Sequence, residues 1–125
     1  MRTKEVIKMT GKVSVKNGYA LYTGEMPENA DVVIEDGAKE IVEWAFENQK
    51  HLRSVDIPAS VERICSLSFA DCENLEKVII RGEKVFYTHH CFRGDKKVVI
   101  YGKSGTEVEE RAKKFGLPFR DISAL

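Results

Sequence analysis

Long apolar runs, an excess of one charge and a secretory leader are all missing from this chain of 125 residues. No stretch of about 18 apolar residues occurs, so no membrane-spanning helix is expected. The N-terminal segment is interrupted by Arg2, Lys4, Glu5 and Lys8 and lacks the apolar core of a signal peptide. Lysine plus arginine and aspartate plus glutamate both number 20, so the net charge is zero. The chain is therefore not expected to bind nucleic acid directly or to associate with a membrane.

Cysteine is also scarce, with three residues at Cys65, Cys72 and Cys91. An odd number without regular spacing does not match the even disulfide framework of a small secreted domain. The chain therefore fits a reducing compartment, and a cytoplasmic location is expected.

Motifs that carry catalysis or hold a cofactor are absent as well. The sequence has no glycine-rich phosphate loop, no nucleophilic serine elbow and no Cys-x-x-Cys or His-x₃-His pair. Cys72, His89, His90 and Cys91 come closest to a metal-binding set, but free cysteine often behaves as a small buried apolar residue. Cys91 and His90 are adjacent in the chain, so their side chains point apart and do not form a nucleophile–base pair. We predict no catalytic residue, no metal ligand, no cofactor and no enzymatic activity.

What the chain does contain is an internal repeat. Residues 41–57 read IVEWAFENQKHLRSVDI, and residues 64–80 read ICSLSFADCENLEKVII. One fixed offset, that from Ile41 to Ile64, superposes the apolar positions of the two segments. A period of this size is typical of a solenoid, in which each repeat buries its apolar side against its neighbours. The apolar positions that coincide are Ile41 with Ile64, Phe46 with Phe69, Leu52 with Leu75, Val55 with Val78 and Ile57 with Ile80.

Each repeat is predicted to combine a short turn with a strand. The segments around Phe46 and Phe69 are too short for a long helix and predict a single helical or 3-10 turn, with the two rings stacked inside. Residues 52–57 and 75–80 alternate as strands that bury every second side chain. The predicted fold is a short α/β solenoid, with a mainly parallel sheet on one face and short helical or 3-10 turns on the other.

A third, shorter copy follows the two full repeats. Phe92 follows Phe69 at the same offset that separates Phe69 from Phe46, but the strand at Val98–Tyr101 arrives one to three positions early. A one-residue slip would exchange the two faces of this strand, so its register stays open.

Both ends of the repeat carry signals for caps. Val13–Tyr22 alternates around Asn17-Gly18, which predicts a β-hairpin. Residues 107–115 carry acids first and lysines last, which predicts an amphipathic helix with Ser104 or Thr106 as N-cap. We therefore expect one domain in three parts: a hairpin cap over residues 1–30, repeats over 31–102 and a helical cap over 103–125.

These repeats resemble the BspA-type leucine-rich repeats. The residues that carry the resemblance are Ile41, Ala45-Phe46, Leu52 and Val55-Asp56-Ile57-Pro58 in the first copy, and Ile64, Ser68-Phe69, Cys72, Leu75 and Val78-Ile79-Ile80 in the second. The resemblance covers nearly the whole chain and implies a leucine-rich-repeat solenoid. It also implies protein recognition without shared catalytic residues.

Two surfaces are candidates for binding a partner protein. Strand alternation places Val33, Asp56 and Ile79 on one outward row of the sheet, and Ser54 and Lys77 on a parallel row. We expect Ile79 to be an exposed anchor there. On the convex turns, Trp44, Leu67 and His90 each lie two positions before a stacked phenylalanine, and an exposed tryptophan is typical of interface hot spots.

An uneven charge distribution suggests a more specific alternative. Residues 1–80 hold 10 basic and 14 acidic side chains, whereas residues 81–125 hold 10 and 6. Five acids form a candidate acidic patch beside Trp44: Glu35, Asp36, Glu40, Glu43 and Glu47. Such a patch suits a small phage- or plasmid-type inhibitor that blocks a nucleic-acid-binding protein. A fragment of a surface adhesin is a further alternative, the partner's identity stays open, and so does a homodimer.

Overall fold

The computed structural model describes residues 6–8, 13–16, 19–22 and 26–125. Strands and the one α-helix of this part are numbered in chain order, and short 3-10 helices cover His89–Phe92 and Ile122–Ala124. The bounds are β1 (Val6–Lys8), β2 (Val13–Lys16), β3 (Tyr19–Tyr22), β4 (Ala30–Val33), β5 (Glu40–Ile41), β6 (Leu52–Ile57), β7 (Arg63–Ile64), β8 (Lys77–Ile80), β9 (Val99–Gly102), α1 (Glu107–Lys114) and β10 (Phe119–Asp121).

A long parallel sheet forms one side of the solenoid. Its strand order is β1-β4-β6-β8-β9-β10, and every pairing in it is parallel. The predicted strand over 52–57 is confirmed as β6, whereas the strand predicted over 75–80 begins only at Lys77. Two strands of this sheet, β1 and β10, flank the repeats at its two edges.

Each repeat forms one coil of the solenoid, and a second, smaller sheet lies on another side of these coils. The sequence pattern did not predict this sheet. Its order is β2-β3-β5-β7, in which β2 and β3 pair antiparallel and the other pairings are parallel. The β2–β3 pair confirms the predicted hairpin strands, although Asn17-Gly18 lie outside the described residues. Strands β5 and β7 are two residues long, too short to show the alternation that identifies a strand in a sequence.

The core between the sheets contains a column of stacked phenylalanines. The Phe46 and Phe69 ring centroids are 5.0 Å apart with planes 6° apart, and Phe69 and Phe92 are 5.8 Å apart at 15°. Tyr87 closes the column edge-on to Phe92 at 6.4 Å. The predicted stack is therefore confirmed. Burial of each such ring contributes about 2–3 kcal/mol, and the column joins the three coils.

The third coil is one residue shorter than the coil before it. Val55 pairs with Val78, but Val78 pairs with Ile100 and Ile79 with Tyr101, so the step from β8 to β9 is one position shorter than the step from β6 to β8. Ile100 is therefore buried, and Tyr101 lies on the outward row of Ile79. This pairing resolves the register that the sequence left open.

The turns differ in part from the prediction. The first two copies form hydrogen-bonded turns without a helix, and only the third forms a 3-10 helix, at His89–Phe92. Residues at equivalent positions turn the chain with positive φ: Asn48 at 60°, Asp71 at 58° and Gly94 at 85°. Asparagine, aspartate and glycine adopt this conformation most readily, so it recurs in each coil at small cost.

The C-terminal helix covers the end of the coil stack as predicted. Val108 and Ala112 are fully buried, and the Tyr87 hydroxyl donates to the Val108 carbonyl at 2.5 Å. Thr106, one of the two predicted residues, is the N-cap, although its hydroxyl donates to the Lys103 carbonyl and makes no side-chain cap bond. No helix among the described residues is long and apolar enough to cross a membrane.

Candidate protein-binding surface

The outward side of the long sheet is the first candidate surface, and we call it the long-sheet face. The strand register places each predicted residue of this face where the alternation expected it. One row contains Asp31, Ser54, Lys77 and Val99, and the other contains Val33, Asp56, Ile79 and Tyr101.

Ion pairs within the chain occupy the charged groups of the long-sheet face. Arg53 Nη2 donates to both carboxylate oxygens of Asp31, at 3.0 and 2.9 Å, and the Ser54 hydroxyl also donates to Asp31. Arg81 donates to Asp56 through Nε at 2.7 Å and Nη2 at 2.8 Å. The Arg81–Asp56 pair is bidentate, and Arg53 reaches both oxygens of Asp31 from one nitrogen. Ser54 and Asp56 therefore have partners inside the fold.

The apolar residues of this face are partly buried, and Tyr101 is buried. Ile79 is half-buried, which corrects the expectation of an exposed anchor at this position. Its neighbour Tyr101 is only 6% exposed although it lies on the outward row, and Lys77 Nζ lies 5.9 Å from the Tyr101 ring centroid. The sequence could not predict this, because it left the register of β9 open.

The turn surface, which consists of Trp44, Leu67 and His90, is the second candidate. These residues lie at equivalent positions of consecutive coils, and the Leu67 amide donates to the His90 carbonyl at 3.2 Å. Trp44 is 43% exposed, His90 is exposed and Leu67 is half-buried. The structure therefore places the three predicted residues side by side.

The backbone at Trp44 is left-handed, with φ at 65°. Leu67 has nearly the same φ, 63°, so the conformation belongs to the repeat rather than to tryptophan. It costs a non-glycine residue about 1–2 kcal/mol. Trp44 is 43% exposed, so more than half of its surface is packed against the fold, and that burial offsets the backbone cost. The remaining part of the ring lies at the surface.

The acidic patch borders the turn surface. Asp36, Glu43 and Glu47 are exposed, whereas Glu35 and Glu40 are half-buried. The Glu47 amide donates to the Trp44 carbonyl at 3.1 Å, which holds these two residues in one turn. Within the described chain, none of the five acids takes part in a salt bridge. The charge of Asp36, Glu43 and Glu47 therefore faces solvent, whereas Glu40 accepts a hydrogen bond from Cys65.

A cluster of one phenylalanine and two arginines was missed by the sequence reasoning. Phe86 is 44% exposed, with the guanidinium carbon of Arg63 at 5.1 Å and that of Arg111 at 4.2 Å from its ring centroid. Arg63 and Phe86 form a parallel bridge. The repeat offset also separates Arg63 from Phe86, and this signal could have placed them side by side. The position of Arg111, on helix α1, over the same ring is known only from the tertiary structure.

The three thiols are protected rather than activated. Burial raises the pKa of Cys65 to about 12, with a further contribution from its hydrogen bond to Glu40 at 2.9 Å, and burial raises the pKa of Cys72 to about 12. Burial also raises the pKa of Cys91, whose thiol donates to the Ile64 carbonyl at 3.2 Å. Among the residues that the structure describes, no three metal-binding side chains form a group.

Comparison with known families agrees with this architecture. Residues 19–110 match the model described as BspA type Leucine rich repeat region (6 copies). The chain belongs to this leucine-rich repeat family. Comparisons with curated proteins and with solved structures found no match. Membership of the family indicates a protein-interaction repeat module, and it leaves the partner unnamed.

Proposed function

We propose that this leucine-rich repeat domain is a non-enzymatic module that binds a partner protein through its turn surface. The observation that carries the proposal is Trp44, a large aromatic residue that is 43% exposed at a left-handed backbone position. Tryptophan is the residue type most enriched among interface hot spots, because it buries a large rigid area on binding.

The long-sheet face supports the proposal by contrast. Its residues Ser54, Asp56, Lys77 and Ile79 were the other predicted binding set. A partner at that face would have to compete with the Arg53–Asp31 and Arg81–Asp56 pairs. Removal of such paired charges from water or from each other has a free-energy cost. Among the residues that the structure describes, no salt bridge involves Trp44, Leu67 or His90, so a partner there would displace no such pair.

Affinity capture from the source cells tests this proposal. The bait is the wild-type chain, compared with Trp44→Leu and with Lys77→Glu on the long-sheet face. Leucine is the matched replacement, because Leu67 occupies the equivalent position with the same backbone conformation. We expect one protein to be captured by wild type and Lys77→Glu and lost with Trp44→Leu. Failure to capture any specific protein, or loss with Lys77→Glu alone, would contradict the proposal.

The second candidate function is a phage- or plasmid-type inhibitor whose acidic patch blocks a basic, nucleic-acid-binding protein. The observation in its favour is the set of five acids without a salt bridge in the described chain. Its partner would be released by added salt and by Glu43→Lys. Glu40→Lys is a less specific variant, since Glu40 also accepts a hydrogen bond from Cys65. Binding that does not weaken when salt is added would exclude this function.

Three finer aspects remain part of the proposal. We place the module in the cytoplasm and without direct contact to nucleic acid or membrane, and a homodimer is an alternative mode of association. Fractionation of source cells with an antibody tests the location, and sedimentation of the purified chain tests the dimer. If the native gene encodes a leader or further repeats upstream, a fragment of a surface adhesin becomes the better description.

A further inference from the structure

We propose that Trp44 is a docking point for an arginine side chain of the partner, which stacks on the indole with Glu43 and Glu47 as its counter-charges. This inference rests on the proposed function and deepens it, because it assigns the chemistry of the partner at the same surface.

The first observation is a pattern in the protein's own aromatic rings. Phe86, Tyr101 and Phe115 each have a cation of this chain over the ring. Trp44 makes no such contact with any residue in the described part of the chain. Tryptophan attracts cations more strongly than phenylalanine or tyrosine. The ring best suited to a cation is therefore available to one from outside.

The second observation is the charge around Trp44. Glu43 precedes it, and the Glu47 amide is bonded to its carbonyl at 3.1 Å. Both acids are exposed and neither forms a salt bridge within the described chain. Both acids lie within one turn of Trp44 along the chain, and charges interact over about 8–10 Å at physiological salt. The surface is thus complementary to a cation and repels an acidic segment.

Arginine suits this surface better than lysine. In the same protein, two guanidinium groups already stack on the exposed Phe86, with their central carbons 4.2 and 5.1 Å from the ring centroid. A planar guanidinium stacks on a ring while its edge donates hydrogen bonds to carboxylates, and an ammonium does not combine the two as well. An arginine over Trp44 can therefore engage the indole and a neighbouring glutamate together.

Fluorescence of the single tryptophan tests this inference directly, because all indole emission comes from Trp44. The probe is the peptide acetyl-(Gly-Arg)₃-amide, and its matched control is the same peptide with citrulline, which keeps the shape and removes the charge. We expect a saturable emission change with the arginine peptide and at least about fivefold weaker binding of the citrulline peptide. A lysine peptide should fall between the two.

Variants separate the proposed site from general charge attraction. The double variant Glu43→Gln, Glu47→Gln should weaken arginine-peptide binding about five- to tenfold. Glu62→Gln is the matched control, since Glu62 is also exposed and also lacks a salt bridge in the described chain, and it should leave binding unchanged. Circular dichroism confirms that each variant is folded.

Three results would overturn the inference: no saturable change with the arginine peptide, equal binding of the citrulline peptide, or equal weakening by Glu62→Gln. Each is distinguishable from failure of the proposed function. A partner captured through Trp44 without arginine preference would leave the module in place and remove only the arginine. If no partner is captured at all, the module itself is rejected.

Discussion

The long-sheet face and the turn surface of this domain differ in how far their polar and aromatic side chains are paired or buried within the fold. On the long-sheet face, Asp31 and Asp56 are bonded to Arg53 and Arg81, and Tyr101 is covered. On the turn surface, Trp44 is exposed, and the acids beside it form no salt bridge in the described chain. The difference shows that outward position alone does not identify a binding surface; what matters is which groups the fold leaves without a partner.

The largest effect on stability is expected in the column of stacked phenylalanines, which supports both surfaces. Phe69 is fully buried between Phe46 and Phe92. Phe69→Ala should lower the free energy of unfolding by about 3–5 kcal/mol, because it removes the middle ring and leaves a cavity. Urea unfolding measures this loss. A loss below about 1 kcal/mol would mean that the stack does not hold the coils together.

Loss of an ion pair on the long-sheet face should have the next largest effect on stability. Arg53→Ala should lower the free energy of unfolding by about 1–3 kcal/mol, because the Asp31 side chain is only 8% exposed and loses the guanidinium that bonds both of its oxygens. Lys103→Ala is the control, since it breaks a pair whose side chains are 67% and 57% exposed, and it should change stability by less than about 1 kcal/mol. Equal losses in the two variants would contradict this account.

Asp95 provides a pH-dependent test at the base of the turns. Burial raises the pKa of its carboxyl from 3.8 to about 8, and the nearby Asp71 carboxylate adds to the rise. The native state therefore holds this proton more tightly than the unfolded state, so stability should fall as pH increases from about 4 to about 8.

Asp95→Asn isolates this contribution from the other acids. The Cys72 amide donates to Asp95 Oδ1 at 2.7 Å, and an asparagine oxygen can accept the same bond. The difference in urea midpoint between wild type and variant should shift in favour of the variant between about pH 5 and about pH 8. A difference that stays constant over this range would show that Asp95 titrates near its ordinary pKa.

The smallest stability effect is expected at the residue with the largest proposed effect on binding. Trp44→Leu should change the free energy of unfolding by about 1 kcal/mol or less, because leucine keeps much of the packed apolar contact and the backbone conformation is one that Leu67 already adopts. A loss above about 2 kcal/mol in urea unfolding would mean that Trp44 is a packing residue, and the contrast between the two surfaces would disappear.

Much of the fold could be predicted from the fixed period of the repeat. The period places Phe46, Phe69 and Phe92 in one column, and alternation places Val55 and Val78 inside and Asp56 and Ile79 outside, as the register confirms. The second sheet escaped prediction because β5 and β7 contribute two residues each. Two residues show no periodicity, and their pairing depends on neighbours brought close by the rest of the coil.

The residues of the candidate site could be predicted from the sequence, but their exposure and their contacts could not. The sequence identified Trp44, Leu67 and His90 as one row and Glu43 and Glu47 as neighbours. It could not show that Ile79 is half-buried or that Arg111 of helix α1 lies over Phe86. Those facts depend on side chains that are distant in the chain and meet only in the folded molecule.

By itself, the sequence determined the repeating coil, because apolar residues at a fixed period can be buried only by stacking equivalent positions on one another. Tertiary structure alone decided which charged and aromatic side chains are paired within the fold and which are exposed. Whether a charged or aromatic side chain is paired depends on the register between coils and on the docking of the terminal helix. The pairing of Tyr101 with Ile79 and the salt bridge of Arg81 with Asp56 are both consequences of that packing.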